Sequence, residues 1–145
     1  MKKKSVEFTL KAEKREFPIM KICSAKDAYD YAKMFYFDDI SIYESTFIIL
    51  LNRANNTIGY AKIGQGGIHS CLVDKVIVTK YAIDSLASGV ILVHNHPSGE
   101  LNPSRYDDQI TIEIEACLDV FGVKLLDHVI ITDGSYFSYK DNGKL

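Results

Sequence analysis

The most restrictive feature of this sequence is an uninterrupted apolar run at residues 90–93, Val-Ile-Leu-Val, which passes directly into polar residues. A strand that is apolar at every position is typical of the centre of a sheet, because both of its faces are then covered. The polar segment 95–103 predicts a loop after this strand, and Ser104 begins a helix whose apolar residues recur on one face. The run therefore predicts an α/β fold built around a central strand.

The remaining segments predict helices and strands around this central strand. Ser24, with Asp27 three residues later, resembles a capping box at the start of a first helix. Asp74 is the N-cap expected for a second helix, which Gly89 ends, and Gly122 ends the third. The first two helices are predicted over residues 25–37 and 76–86. Further strands are predicted over residues 46–52, 58–64, 125–132 and 136–139. Together these elements predict a mixed β-sheet flanked by helices.

One domain is expected from the length and the mixture of residues. The chain has 145 residues, of which 47% are hydrophobic and 25% charged, the average mixture of a globular domain. No repeat, low-complexity tract or Pro/Gly/Ser-rich linker divides the sequence. We therefore predict an N-terminal arm at residues 1–20 and a single domain at residues 21–145.

A cytoplasmic protein with reduced cysteines is expected. The first residues lack the apolar stretch and small-residue cleavage site of a signal peptide. The longest apolar run, residues 47–51, is far shorter than the roughly 20 residues that span a bilayer, so we predict no transmembrane helix. Cys23, Cys71 and Cys117 are odd in number, widely spaced and set among largely apolar neighbours, which favours buried, reduced thiols over disulfides.

The charge distribution gives little support to an obligate nucleic-acid binder. The formal net charge is -2, and the positive residues are dispersed apart from small clusters at residues 2–4 and 11–15. Nucleic-acid binders usually carry a basic patch or stripe. A solvated tail is the simpler interpretation of the clusters, and a short basic arm that contacts phosphate is the alternative.

The segment that carries chemistry lies where the central strand ends. His94 and His96 occupy positions i and i+2, which project to the same side of an extended chain, so both imidazoles can point at one position. Gly99 and Pro103 allow the loop to turn sharply and bring Asp107, in the first turn of the next helix, towards it. Two imidazoles and one carboxylate form a ligand set for a catalytic Zn2+ ion, which keeps its fourth position for water.

Each part of this pattern also has a simpler explanation. Ser104 with Asp107 is an ordinary helix cap when taken alone, and a single His-x-His at a strand end is more often a polar loop. Their joint spacing favours a metal site, since a given residue occurs at a fixed position by chance in only a few per cent of cases.

His94, His96, Ser104 and Asp107 fit the spacing His-x-His, seven residues, Ser, two residues, Asp. In this the chain resembles the JAMM/MPN (JAB domain) metalloproteases. The resemblance implies a cytidine-deaminase-like architecture in which His94, His96 and Asp107 hold zinc and Ser104 supports the oxyanion. It also implies a general base on an upstream strand, for which Glu44 is the matching residue.

A longer match is similar to the RadC-like branch of that family. It comprises residues 94–99 and Pro103, with Leu-Asp-His at residues 126–128, and the similarity runs from about residue 25 to the end of the sequence. Proteases of the wider family often carry Ser or Thr between the two histidines, where this chain has Asn95, so the resemblance does not by itself imply their deubiquitinating activity. The segment before Glu44 is too short for the helix-hairpin-helix region that often precedes this domain.

Two alternatives concern the general base and the other histidines. Glu44 lies just before the strand at residues 46–52, whereas Glu100 is a rival base in the loop, and a solvated strand-end carboxylate is the simpler interpretation of Glu44. His69, near a glycine-rich turn, and His128, in an apolar strand, are expected to be structural. A buried, hydrogen-bonded His128 is favoured over a ligand because the set of three is already complete.

Three functions are compatible with a metal site of this kind. The preferred one is a zinc-dependent hydrolase that cleaves a peptide or isopeptide amide bond in a protein or peptide substrate with a zinc-activated water. The alternative is a DNA-repair or mobile-element-associated accessory module that binds DNA or a partner protein without catalysis. A metal-dependent nuclease is disfavoured because the sequence lacks a carboxylate-rich cluster for two metal ions.

Overall fold

A computed structural model describes residues 2, 4–7, 12–13, 17–36, 38–66 and 72–145. The described part of the chain contains three α-helices, one 3₁₀ helix and five strands. The helices are α1 (Ala25–Lys33), the 3₁₀ helix (Asp38–Ser41), α2 (Lys75–Asp84) and α3 (Arg105–Asp119). The strands are β1 (Ser45–Leu51), β2 (Thr57–Gln65), β3 (Gly89–Asn95), β4 (Lys124–Ile131) and β5 (Tyr136–Ser138).

The strands form one mixed sheet in the order β2-β1-β3-β4-β5. Strand β3 lies at its centre, antiparallel to β1 and parallel to β4, and every residue of β3 is buried. A parallel pair needs a crossover connection, and α3 supplies it between β3 and β4. The predicted mixed sheet with flanking helices is confirmed, and the crossover sets the N-terminus of α3 at the end of β3.

Each face of the sheet has its own hydrophobic core. Alternate residues of β3 belong to different cores, with Ile91 and Val93 on the side of α1, and Val90 and Leu92 on the side of α2 and α3. The alternation continues through the strand, so His94 projects to the side of α2 and α3. The α1 core also contains the aromatic residues Tyr31, Phe35, Tyr36 and Phe47.

Two helix ends differ from the sequence prediction. Helix α1 ends at Lys33, four residues early, and the chain after it turns so that Phe35 and Tyr36 enter the core. Helix α2 ends with Ser85 as its C-cap, and the next residue, Leu86, adopts a left-handed conformation with a φ of 54°. Gly89 therefore does not end this helix. Gly89 begins β3 instead, where a Cβ would lie only 2.5 Å from the Cδ1 atom of Leu126.

The end of α3 and its capping are as predicted. Gly122 has a φ of 71°, and the N–H of Val123 returns to the carbonyl of Leu118. Such a left-handed residue satisfies the last carbonyls of a helix, and glycine adopts it without strain. Gly122 therefore stops α3 and turns the chain into β4.

The predicted burial of the cysteines was wrong for Cys23. Cys23 and Cys117 are free thiols, but Cys23 is exposed and Cys117 only half-buried. The N–H of Cys23 donates to Oδ2 of Asp27, which places it at the solvent-facing start of α1. Cys71 and His69 lie outside the described residues, so the predictions for them remain predictions.

The N-terminal segment is described only in part. Residues 20–22 pair with the turn before β2, since Lys21 bridges Asn56 and the N–H of Met20 donates to Oγ1 of Thr57. The basic clusters near the start fall partly outside the described residues, and the division between residues 20 and 21 remains a prediction. Within the described ranges, the helices are too short or too polar to cross a membrane.

Candidate metal centre

The end of β3 brings two imidazoles together. His94 is buried and occupies the second-last position of β3, and His96 follows the strand, with its N–H donating to the carbonyl of Ile131 on β4. The extended backbone projects both rings to one side, as the i, i+2 spacing predicts. Their Nε2 atoms lie 2.9 Å apart.

Asp107 reaches the same position from the first turn of α3. Its backbone N–H donates to Oγ of Ser104 at 3.0 Å, and its Oδ2 accepts from the N–H of Ser104 at 2.8 Å. This reciprocal capping box holds the carboxylate at the helix start. Oδ1 of Asp107 lies 3.2 Å from Nε2 of His94, and Oδ2 lies 3.2 Å from Nε2 of His96.

Glu44 completes the group from the segment just before β1. Thr46 pairs with His94 across the sheet, and Glu44 is two residues earlier, so its side chain is directed to the same face. Its Oε1 lies 3.8 Å from Nε2 of His94, and its side chain is 12% exposed. Ligand atoms from the four residues all lie within 4.8 Å of one another, an arrangement that can hold a metal ion.

The hydrogen bonds behind His96 orient its ring for metal binding. Nδ1 of His96 lies 2.7 Å from the carbonyl oxygen of Glu100. A carbonyl only accepts, so Nδ1 carries the hydrogen, and in a neutral ring Nε2 carries a lone pair. That lone pair faces Nε2 of His94 and Oδ2 of Asp107, which are themselves a nitrogen and a carboxylate oxygen. Such a set of lone-pair donors can hold a metal ion among its atoms.

The spacing of these atoms fits a tetrahedral ion. A metal ion with bonds of ~2.0–2.1 Å, such as zinc, separates its tetrahedral ligand atoms by roughly 3.3–3.4 Å. The separations of 2.9 Å and 3.2 Å among His94, His96 and Asp107 lie near this value. Glu44 stands slightly farther away, with its Oε1 atom 3.8 Å from Nε2 of His94, and it lines a cavity together with His94 and Asp107.

The electrostatics show the same preference for positive charge. Burial alone would raise the pKa of Asp107, but the adjacent imidazoles of His94 and His96 and the N–H of Ser104 outweigh it, and the pKa lies far below its usual value. Burial acts to lower the pKa of His96, yet the hydrogen bond to Asp107 and the carbonyl of Glu100 raise it overall. Both shifts in pKa favour positive charge beside the carboxylate of Asp107.

Asn95, between the two histidines, holds Glu44 in position. Its side chain is completely buried, and its Oδ1 accepts from the N–H of Ser45 at 2.7 Å. Its Nδ2 donates to the carbonyls of Ile40 at 2.6 Å and Tyr43 at 2.7 Å. Tyr43 and Ser45 flank Glu44, so one amide fixes the backbone on both sides of that carboxylate. No local sequence pattern indicates this role, because Ser45 lies 50 residues from Asn95.

His128 is buried and hydrogen-bonded, as expected, but it also contacts a member of the candidate site. Its Nε2 lies 2.7 Å from Nδ1 of His94, and its Nδ1 lies 2.6 Å from Oγ1 of Thr111. Burial lowers the pKa of His128 well below its usual value, so the ring is neutral. The sequence signal for Thr111 is weak, since it consists only of its position one helical turn after Asp107.

Ser104 and Glu100 are the other two residues that the sequence offers for catalysis. Ser104 is the N-cap of α3, and its predicted contact with an oxyanion stays a prediction. Glu100 is exposed and meets the site through its backbone carbonyl. Among the described residues, the group that can hold a metal contains Glu44 and not Glu100.

Comparisons with known proteins point to one family. The family described as RadC-like JAB domain matches residues 22–144. A UPF0758 protein of Flavobacterium johnsoniae is 41% identical over 125 residues, which cover 86% of this chain and 54% of that protein. A UPF0758 protein of Porphyromonas gingivalis is 38% identical over 103 residues, or 70% of this chain and 45% of that protein. This chain thus spans about half the length of the curated relatives it matches.

Proposed function

Because the chain belongs to the RadC-like JAB domain family, we propose that it is a zinc-dependent hydrolase that cleaves a peptide or isopeptide amide bond. The observation that carries this proposal is the convergence of Glu44, His94, His96 and Asp107, whose ligand atoms lie within 4.8 Å of one another. Two imidazoles and a carboxylate are the ligand set of catalytic zinc sites, which keep a position open for water, whereas structural sites draw on cysteine.

The ion would be held by His94, His96 and Asp107. Bound there, zinc supplies an activated water and a Lewis acid for the amide carbonyl. Glu44 takes a proton from the attacking water and delivers it to the leaving nitrogen. Ser104, whose hydroxyl hydrogen is not used in the capping box, donates to the oxygen that becomes negative.

The position of Glu44 supports its assignment as the general base. Its carboxylate is largely buried at the edge of the group, 3.8 Å from Nε2 of His94, where it would reach a water molecule bound to an ion held by the imidazoles. A base must lie within hydrogen-bond distance of the proton that it accepts, directly or through one water. The exposed carboxylate of Glu100 belongs to a residue that contacts His96 through its backbone.

The first test measures metal content. Elemental analysis of the purified wild type should give one zinc ion per chain, and both His96→Ala and Asp107→Ala should lose it. Asp119→Ala, at the exposed end of α3, is the control and should retain the wild-type content. Equal metal in all four proteins would contradict the site.

The second test separates metal binding from proton transfer. Glu44→Gln should retain zinc but lose turnover of a library of internally quenched peptides and isopeptides, because the amide cannot accept the proton. Glu100→Gln is the matched control and should remain active. Full activity of Glu44→Gln would remove Glu44 from this role, and salt-sensitive DNA binding without amide cleavage by the wild type would support the accessory-module alternative.

A further inference from the structure

A chain of three buried side chains runs from α3 through β4 to the end of β3. Oγ1 of Thr111 lies 2.6 Å from Nδ1 of His128, and Nε2 of His128 lies 2.7 Å from Nδ1 of His94. The exposed fractions of the three residues are 2%, 1% and 4%, so water does not compete for these contacts. We call Thr111, His128 and His94 the relay, and each of these side chains depends on the others for its hydrogen bonds.

The directions of these hydrogen bonds follow from the hydroxyl of Thr111. That hydroxyl has a single hydrogen, which it donates to the backbone carbonyl of Asp107 at 2.6 Å. Its oxygen must then accept from Nδ1–H of His128. Nε2 of His128 is left with its lone pair and accepts from Nδ1–H of His94. The remaining nitrogen of His94, Nε2, consequently carries a lone pair and faces His96 and Asp107.

The same directions follow from the other end of the relay. A neutral His94 that binds a metal ion through Nε2 has its hydrogen on Nδ1, which is directed at Nε2 of His128. His128 must then accept at Nε2 and donate from Nδ1. Thr111 can accept that hydrogen only because its own is committed to the carbonyl of Asp107. The hydroxyl of Thr111 and a metal-binding Nε2 of His94 therefore require the same hydrogen-bond directions through His128.

The fold holds the middle ring of the relay rigidly. His128 pairs with Leu92 in the parallel ladder between β3 and β4, two residues before His94. The ring of Tyr139 stacks on His128 with centroids 4.6 Å apart and an angle of 10° between the planes. Tyr139 is itself anchored by a hydrogen bond from its hydroxyl to Oδ1 of Asp108. His128 therefore meets His94 with a fixed orientation.

We propose that His128 and Thr111 are positioning residues that set the tautomer of His94 and so prepare its Nε2 to bind the metal ion. The inference rests on the proposed metal site. His96 receives its tautomer from a carbonyl, which can only accept. The partner of His94 is the imidazole of His128, which can donate or accept. The hydroxyl of Thr111 therefore decides the direction of the hydrogen bond between His94 and His128. Hydrogen bonds behind a metal-binding histidine fix its ring and increase its basicity.

Zn2+ affinity in chelator competition tests the proposal. His128→Leu removes the acceptor and should weaken affinity by about 10- to 100-fold, the usual effect of losing such a partner. His128→Gln can present an acceptor to His94 and should recover much of the loss. The exposed Asp119→Ala at the end of α3 is the control, because its side chain lies outside these contacts; its affinity should stay within about threefold of wild type.

Thr111 is tested through its dependence on His128. Thr111→Val should weaken Zn2+ binding, whereas Thr111→Ser keeps the hydroxyl and should bind like the wild type. In the His128→Leu background, Thr111→Val should have no further effect, because Thr111 acts through His128. If His128→Leu does not fold, the pair of Thr111 variants decides: equal affinity for Val and Ser would overturn the proposal.

The tautomer itself can be read without any activity assay. Nitrogen-15 NMR of the ring nitrogens at pH 8 should show His94 protonated at Nδ1 in the wild type, and a mixture of tautomers in metal-free Thr111→Val. Protonation of wild-type His94 at Nε2 would overturn the proposal while leaving the metal site intact. A wild type that binds no Zn2+ would overturn the proposed function, and the role of this relay in metal binding with it.

Discussion

Replacing Asn95 by alanine should destabilise the fold by about 3 kcal/mol, although it removes no metal ligand. The buried amide makes three hydrogen bonds of 2.6–2.7 Å, to Ser45, Ile40 and Tyr43. Each contributes about 1 kcal/mol net, and the N–H of Ser45 and the carbonyl of Ile40 would lose their partners in a buried environment. Since these bonds flank Glu44, Asn95→Ala should also lower turnover more than it lowers zinc content.

Urea unfolding gives the measurement. With a slope of about 2 kcal/mol/M, a loss of about 3 kcal/mol lowers the midpoint by about 1.5 M. The exposed Asn102→Ala is the matched control and should change stability by less than about 0.5 kcal/mol. A similarly small change for Asn95→Ala would refute the argument that this amide fastens the segment before β1.

A charge variant makes the test sharper. Asn95→Asp keeps an acceptor for Ser45 but presents a carboxylate oxygen to the carbonyls of Ile40 and Tyr43. Its pKa would be raised in the folded state, so the stability that it loses relative to wild type should be greatest at neutral pH and should shrink as the pH falls. A loss that is independent of pH would show that the carbonyls do not face this side chain.

Two further predictions concern titration. The pKa of His96 is raised, and binding of a metal ion must displace the proton from its imidazole. Zn2+ affinity should therefore decline by up to tenfold per pH unit once the pH falls below that pKa. A constant affinity between pH 8 and 5.5 would contradict this prediction. Burial raises the pKa of Asp127, so its charged form costs stability as the pH rises from about 4. Asp127→Asn should therefore gain stability relative to wild type between pH 4 and 7 in urea unfolding. Asp127→Ala should instead lose about 3 kcal/mol, because the hydroxyl of Ser138 and the N–H groups of His128 and Lys140 all lose their acceptor.

The elements that surround the site could be predicted because their signals are local. The apolar run of β3 is consecutive in sequence, and the cap of α3 is set by Ser104 and Asp107, three residues apart. His94 and His96 converge through the geometry of a single extended segment. These parts of the fold and candidate site need no knowledge of strand order.

The supporting contacts could not be predicted because they depend on which strands are neighbours. His128 is 34 residues from His94 in sequence, and Asn95 is 50 residues from Ser45. Only the parallel register of β3 and β4 sets His128 beside Leu92. The wrong prediction that Gly89 ends α2 has a similar origin. Position 89 must be glycine because a Cβ atom there would collide with the side chain of Leu126 on β4, which is distant in sequence. The largely apolar residues around Cys23 likewise predicted burial, although Cys23 precedes Ser24, the N-cap of a helix at the surface.

The capping box of α3 has a consequence for how the protein unfolds. Oδ2 of Asp107 accepts the N–H of Ser104, so the interaction that initiates the helix also orients the carboxylate beside the imidazoles. Occupancy by an ion and winding of this turn would then be thermodynamically linked, and each would favour the other. Chelation should accelerate hydrogen exchange at the amides of Ser104 and Asp107 before it affects those near Leu118, and loss of metal would begin as local fraying rather than as global collapse.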